Sequence, residues 1–97
     1  EGQVIDAYST DGLLKKFDLA VLEDDAGVFP PYYAVPVFRG EIMEKYPEIR
    51  EITEQLASVL STDVMAGLNY LVDEEGQKPQ DVAHEFFQEN LPEYASK

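Results

Sequence analysis

The sequence predicts an α/β fold, with three short strands followed by three or four helices. Three observations point there. Before residue 39 the apolar runs are short and rich in β-forming residues, whereas after it they recur at helical spacing. Glycines, prolines and small polar clusters punctuate both halves at intervals that suit such elements. The length, 97 residues, limits the chain to one small domain with a thin core.

Taken in order, "VIDAYS" (residues 4–9) reads as the first strand and ends in the turn signal Ser9-Thr10-Asp11-Gly12. "GLLKKF" (12–17) is long enough for only a turn or two of helix. "DLAVLEDD" (18–25) reads as the second strand, broken by Asp24, Asp25 and Gly27. "YYAVPVF" (32–38) reads as the third, and Pro36 puts it at an edge, a bulge or a strand end.

The helical half begins with a short helix over 41–46, interrupted near Pro47. That proline suits a first helical position, with Glu48 and Glu51 complementing the helix dipole. Ile49, Ile52, Leu56, Val59 and Leu60 then share one face. Ser61 or Thr62 caps the next helix, in which Val64, Met65, Leu68, Leu71 and Val72 face inward. Gly76 ends it in a left-handed turn. Pro79 opens the last helix, with Val82, Ala83, Phe86 and Phe87 on its buried side, and Pro92 closes it.

Three strands alone leave open edges. Pairing with strands elsewhere in a longer chain, or with a second copy, is therefore expected. The opening "EGQVIDAYS", strand-like almost from its first residue, adds to the expectation that this is a segment of a longer chain.

Twenty acidic residues against seven basic ones give a net charge of −13. Such a surface repels nucleic-acid phosphates and anionic membranes, and it permits a cationic ligand. With no cysteine there is neither a disulfide frame nor a thiolate metal site. No apolar run approaches the roughly 20 residues that span a bilayer.

"VFPPYY" (28–33) is the most constrained stretch. Prolines fix φ at about −65° and restrict the residue before them, so Tyr32 and Tyr33 are held where the fold puts them. In an extended backbone neighbouring side chains point to opposite sides. One ring then faces a cleft while the other packs inward, or the segment is simply a rigid loop. Pro30-Pro31-Tyr32-Tyr33 also spells a PPxY peptide, and a helical interaction module presenting that motif is the alternative reading. Tyr8, at a strand end before a turn, occupies the kind of place where open α/β sheets carry ligand-contacting groups. His84 reads as a solvated helix position, since a metal site needs a second histidine or converging acids. The acidic clusters at 23–25 and 73–75 lack the alternating ligands of a calcium loop. A Ser9, Asp11 and His84 triad has no nucleophile elbow around it. Arg39 reads as a surface residue. No catalytic residue, metal site or cofactor is expected, and the chain is read as non-enzymatic.

The "DAYSTDG" turn, then "LEDD", then "FPPYYAVPV", in that order and spacing, resembles the closing third of the osmoprotectant-binding proteins of ABC importers. Their substrates are glycine betaine, carnitine, choline and proline betaine. "NYLVDEEGQKPQDVAHEFF" is similar to the C-terminal tail of the same family, and the resemblance spans residues 4–91. It implies part of a two-lobed, periplasmic-binding-protein-like (type II) fold. Residues 1–29 would be the closing segment of lobe two. Residues 30–97 would be a crossing strand and the C-terminal helices of lobe one. It implies a box of tyrosines around a quaternary ammonium, to which Tyr8 and Tyr32 match; Tyr33 is left as a packing residue. The implied partners are that small molecule, an ABC permease, and either the N-terminal remainder of the chain or a second copy. The implied location is extracytoplasmic, periplasmic or at the cell surface, as a lipoprotein or fused to a permease.

The chemistry suits such a box. A trimethylammonium group donates no conventional hydrogen bond, so aromatic faces, which attract charge and accept methyl groups, select it. At about 0.5–2 kcal/mol per ring, four rings give roughly 2–8 kcal/mol, and micromolar binding needs about 8 kcal/mol.

Overall fold

The computed structural model describes residues 2–95 and places its regular structure in six helices. These are α1 (Leu13–Lys16), α2 (Gly40–Lys45), α3 (Glu48–Val59), α4 (Thr62–Asp73), α5 (Pro79–Asn90) and α6 (Pro92–Ala95).

The boundaries have local causes. α1 is a single turn, started by the Asp11 carboxylate, which accepts from the Leu13 N–H at 2.9 Å. α2 has Glu41 in its first turn and Lys45 in its last, each opposing the local dipole. Tyr46 and Pro47 separate α2 from α3, whose first turn carries Glu48 and Glu51. Of the two candidate caps for α4, Ser61 is the one used: its Oγ accepts from the Val64 N–H at 3.2 Å. Gly76, at φ 70°, ends α4, and the Gln77 N–H reaches back to the Leu71 carbonyl at 3.0 Å. Pro79 begins α5, where its missing N–H costs nothing.

α4 is the centre of the assembly. One side takes α1 and the turn before it, and the other takes α5, which in turn holds α6. Among the described residues, Gly12, Ala66, Val82 and Leu91 are the buried ones, all along this line of contacts. α2 packs on α3, whose predicted face (Ile49, Ile52, Leu56, Val59 and Leu60) is half-buried throughout.

Two sequence expectations are corrected. The α/β class with three short strands is not what forms: among the described residues there is no strand. Residues 4–8, 19–24 and 32–38 contain no regular element, and no backbone hydrogen bond joins one of these stretches to another. The residue choice was strand-like, but a strand exists only against a neighbour that completes its ladder, and these stretches find none in one another. Most of their apolar side chains stay in solvent, Val37 to 88% of its surface. Five helices rather than three or four follow residue 39, because Pro92 both stops α5 and starts α6. The shape matches this open packing. The radius of gyration is 16.6 Å, against about 13 Å for a compact domain of this length.

Candidate functional site

Residues 24–29 form a loop that leads into Pro30 and Pro31. The Asp24 carboxylate closes it, accepting from the Phe29 N–H at 2.8 Å and the Val28 N–H at 3.0 Å. Gly27, at φ 62°, supplies the left-handed residue that lets the loop fold back, and its N–H meets the Asp24 carbonyl at 3.3 Å. Hydrogen bonds from Phe29, then Val28, hold the Asp24 carboxyl below its ordinary range. The acidic cluster at 23–25 thus contains a specific loop clamp that composition did not reveal.

Beyond the prolines, residues 32–36 form one wall of an apolar groove of about 590 Å³. Leu56 and Leu60 of α3 and Met65 of α4 contribute to the other wall, and Thr10 adds a polar edge. Tyr32 and Tyr33 both line this groove, and they are 84% and 82% exposed. Tyr33 is therefore not packed inward as expected, since no second layer lies behind the segment to receive it. Tyr8 does not line the groove and is 79% exposed. Its backbone begins the turn that contributes Thr10: the Asp11 N–H donates to the Tyr8 carbonyl at 3.0 Å.

That turn is docked on α4. The Asn69 side-chain amide donates to the Thr10 carbonyl at 2.7 Å, a contact spanning 59 positions of sequence. Gly12 lies directly on the backbone of α4, where a Cβ would come within 2.8 Å of the Tyr70 N and Cα. Its φ is an ordinary −62°, so the glycine is required by space and not by backbone conformation. The Lys15 ammonium lies beside Gly67, and Lys16 pairs with Glu74. Gly12 was read only as part of a turn signal, and Asn69 was not singled out from sequence. The available signal was a polar Asn69 in the otherwise apolar run "GLNYLV".

The remaining candidates hold no converging chemistry. His84 is exposed and lies 3.1 Å from the Gln88 side-chain amide. Among the described residues no cluster of acids or histidines could hold a metal ion, and no helix is long and apolar enough to cross a membrane.

Comparison with known proteins gives a consistent set. Residues 1–89 match a family described as the substrate binding domain of ABC-type glycine betaine transport systems. The chain is 45% identical over 82 residues to a glycine-betaine-binding protein of Pseudomonas aeruginosa, covering 84% of this chain and 26% of that one. It is 41% identical over 83 residues to the carnitine transport binding protein OpuCC of Listeria monocytogenes, covering 86% and 27%. Over 84 residues it is 43% identical to the ergothioneine transport permease/ergothioneine binding protein EgtU of Helicobacter pylori, covering 87% and 15%. The chain thus spans about a quarter or less of the length of these relatives.

Proposed function

The chain belongs to the family of substrate binding domains of ABC-type glycine betaine transport systems, and from that membership we propose that it serves the substrate-binding component of an importer for quaternary-ammonium solutes. This is a family of transport binding domains and not of enzymes.

The observation that carries the proposal is the match over residues 1–89, together with the ligands in the relatives' names. Glycine betaine, carnitine and ergothioneine differ in size and in their polar groups. Each joins a trimethylammonium to a carboxylate. What a shared binding segment would recognise is the methylated cation, and that recognition calls for aromatic faces. Tyr8 and Tyr32 are the residues to which this role is assigned, as two walls of a tyrosine box. Two rings supply roughly 1–4 kcal/mol, well short of the 8 or so of a micromolar complex. The remaining rings and the carboxylate contacts belong, in this proposal, to other parts of a two-lobed receptor. The lobes would divide near Pro30-Pro31, with residues 1–29 on one side and 30–97 on the other, so that the contact of the Thr10–Gly12 turn with α4 would lie between them. The receptor would work outside the cytoplasmic membrane and deliver its ligand to a permease. The family match does not support the PPxY reading.

Calorimetry on the full-length receptor tests the proposal. Glycine betaine, carnitine or choline should bind, and glycine, which lacks the methyl groups, should not. Equal binding of glycine and glycine betaine would overturn it.

A further inference from the structure

Building on the tyrosine-box reading, we infer that Asn69 is a positioning residue for Tyr8 and acts through the carbonyl of Thr10. The Tyr8 ring is largely in solvent, so side-chain packing does little to hold it. Its place is set by the backbone that carries it. That backbone is a closed turn: the Asp11 N–H bonds the Tyr8 carbonyl, and the Asp11 carboxylate bonds the Leu13 N–H. A turn tied in this way moves as a unit, so whatever anchors it also anchors the start of the Tyr8 side chain.

Three contacts hold the turn to α4. Gly12 against the Tyr70 backbone sets how closely it approaches, and the Lys16–Glu74 pair braces its far end. Neither is strongly directional. The Asn69 amide is, since it must point at the Thr10 carbonyl to bond it at 2.7 Å. It therefore fixes how the turn is rotated on the helix. Without the donor, a part-buried carbonyl loses its partner and the turn is free to roll about Gly12.

The test is a double-mutant cycle in the full-length receptor, with glycine betaine as the probe and calorimetry as the readout. Asn69→Asp keeps the side-chain shape and removes the donor. It should weaken binding by roughly threefold to tenfold when Tyr8 is present, and by less than about twofold when Tyr8 is replaced by alanine. Tyr8→Ala weakening binding while Asn69→Asp has no effect, or has the same effect in both backgrounds, overturns the positioning role and leaves the box standing. Tyr8→Ala leaving affinity unchanged overturns the box, and the role of Asn69 with it. Asn69→Ala and Asn69→Ser run through the same cycle in case the aspartate variant fails to fold. The fluorine spectrum of a fluorotyrosine at position 8, without ligand, gives a second readout. Its resonance should move or broaden in each folded Asn69 variant that keeps the ring at position 8, and an unchanged resonance contradicts the inference.

Discussion

The Asp24 carboxylate accepts a hydrogen bond from the backbone N–H of Phe29 at 2.8 Å and so closes the loop that feeds Pro30 and Pro31. The N–H groups of Phe29 and Val28 stabilise the ionised form, and the Asp24 carboxyl titrates below its ordinary value of 3.8. For a carboxyl depressed on folding, the stabilisation is present above the unfolded value and is lost as pH falls through the folded one. Loop protection should therefore hold from neutral pH down to the ordinary aspartate range and collapse below it. Hydrogen exchange at the Val28 and Phe29 amides, corrected for intrinsic rates, checks this. Asp24→Ala should abolish the protection at every pH, and protection that survives in that variant contradicts the clamp.

Gly12 and Gly40 make a matched pair. A Cβ on Gly12 would meet the α4 backbone at 2.8 Å, whereas one on Gly40 meets nothing within 4 Å. Gly12→Ala should destabilise by about 1–3 kcal/mol, as overpacking against an unyielding backbone does. Gly40→Ala, in a helix, should be neutral or stabilising by up to about 1 kcal/mol. Denaturant midpoints of the two variants in the full-length receptor decide the matter, and equal midpoints would contradict the close approach.

The helical half was legible because its signals are local. Ser61, Pro79 and Gly76 each act within one turn of where they stand, and the face from Ile49 to Leu60 follows from helical spacing alone. The strand half was misread because β-forming residues state a preference that only a neighbouring strand can satisfy. Val35 and Val37 have the composition of a strand and no ladder. Gly12 was read as part of a turn signal, although its need for hydrogen in place of a side chain comes from Tyr70, far away in sequence. Asp24 was visible as a loop breaker, but its bonds to Val28 and Phe29 depend on the path that Gly27 gives the backbone. The family resemblance was legible from "DAYSTDG" and "FPPYYAVPV", and the match over residues 1–89 agrees with it.

Ser61→Ala should cost about 0.5–2 kcal/mol, the usual loss for a helix cap. The Val64 N–H is left without its partner at the start of α4. Because α4 carries both the Tyr8 turn and α5, the loss should register in global unfolding and not only as local fraying. Ser61→Asp should restore most of it. An unchanged denaturant midpoint for Ser61→Ala would count against α4 as the organising helix.

The 97-residue chain by itself should self-associate. Val4, Leu22, Phe29, Val35 and Val37 are all largely exposed, and large apolar surfaces with unpaired backbone seek partners. Sedimentation over a range of concentrations should show oligomers, and the addition of the remaining receptor portion should suppress them. A monodisperse, cooperatively unfolding monomer would contradict this.

The central claim is tested most directly by calorimetry of glycine betaine binding to the full-length receptor carrying Tyr8→Ala or Tyr32→Ala. Each should weaken binding by about 1–2 kcal/mol or more, with the phenylalanine variants milder because the aromatic face remains. Unchanged affinity in either alanine variant would contradict the assignment of these two rings to the quaternary ammonium.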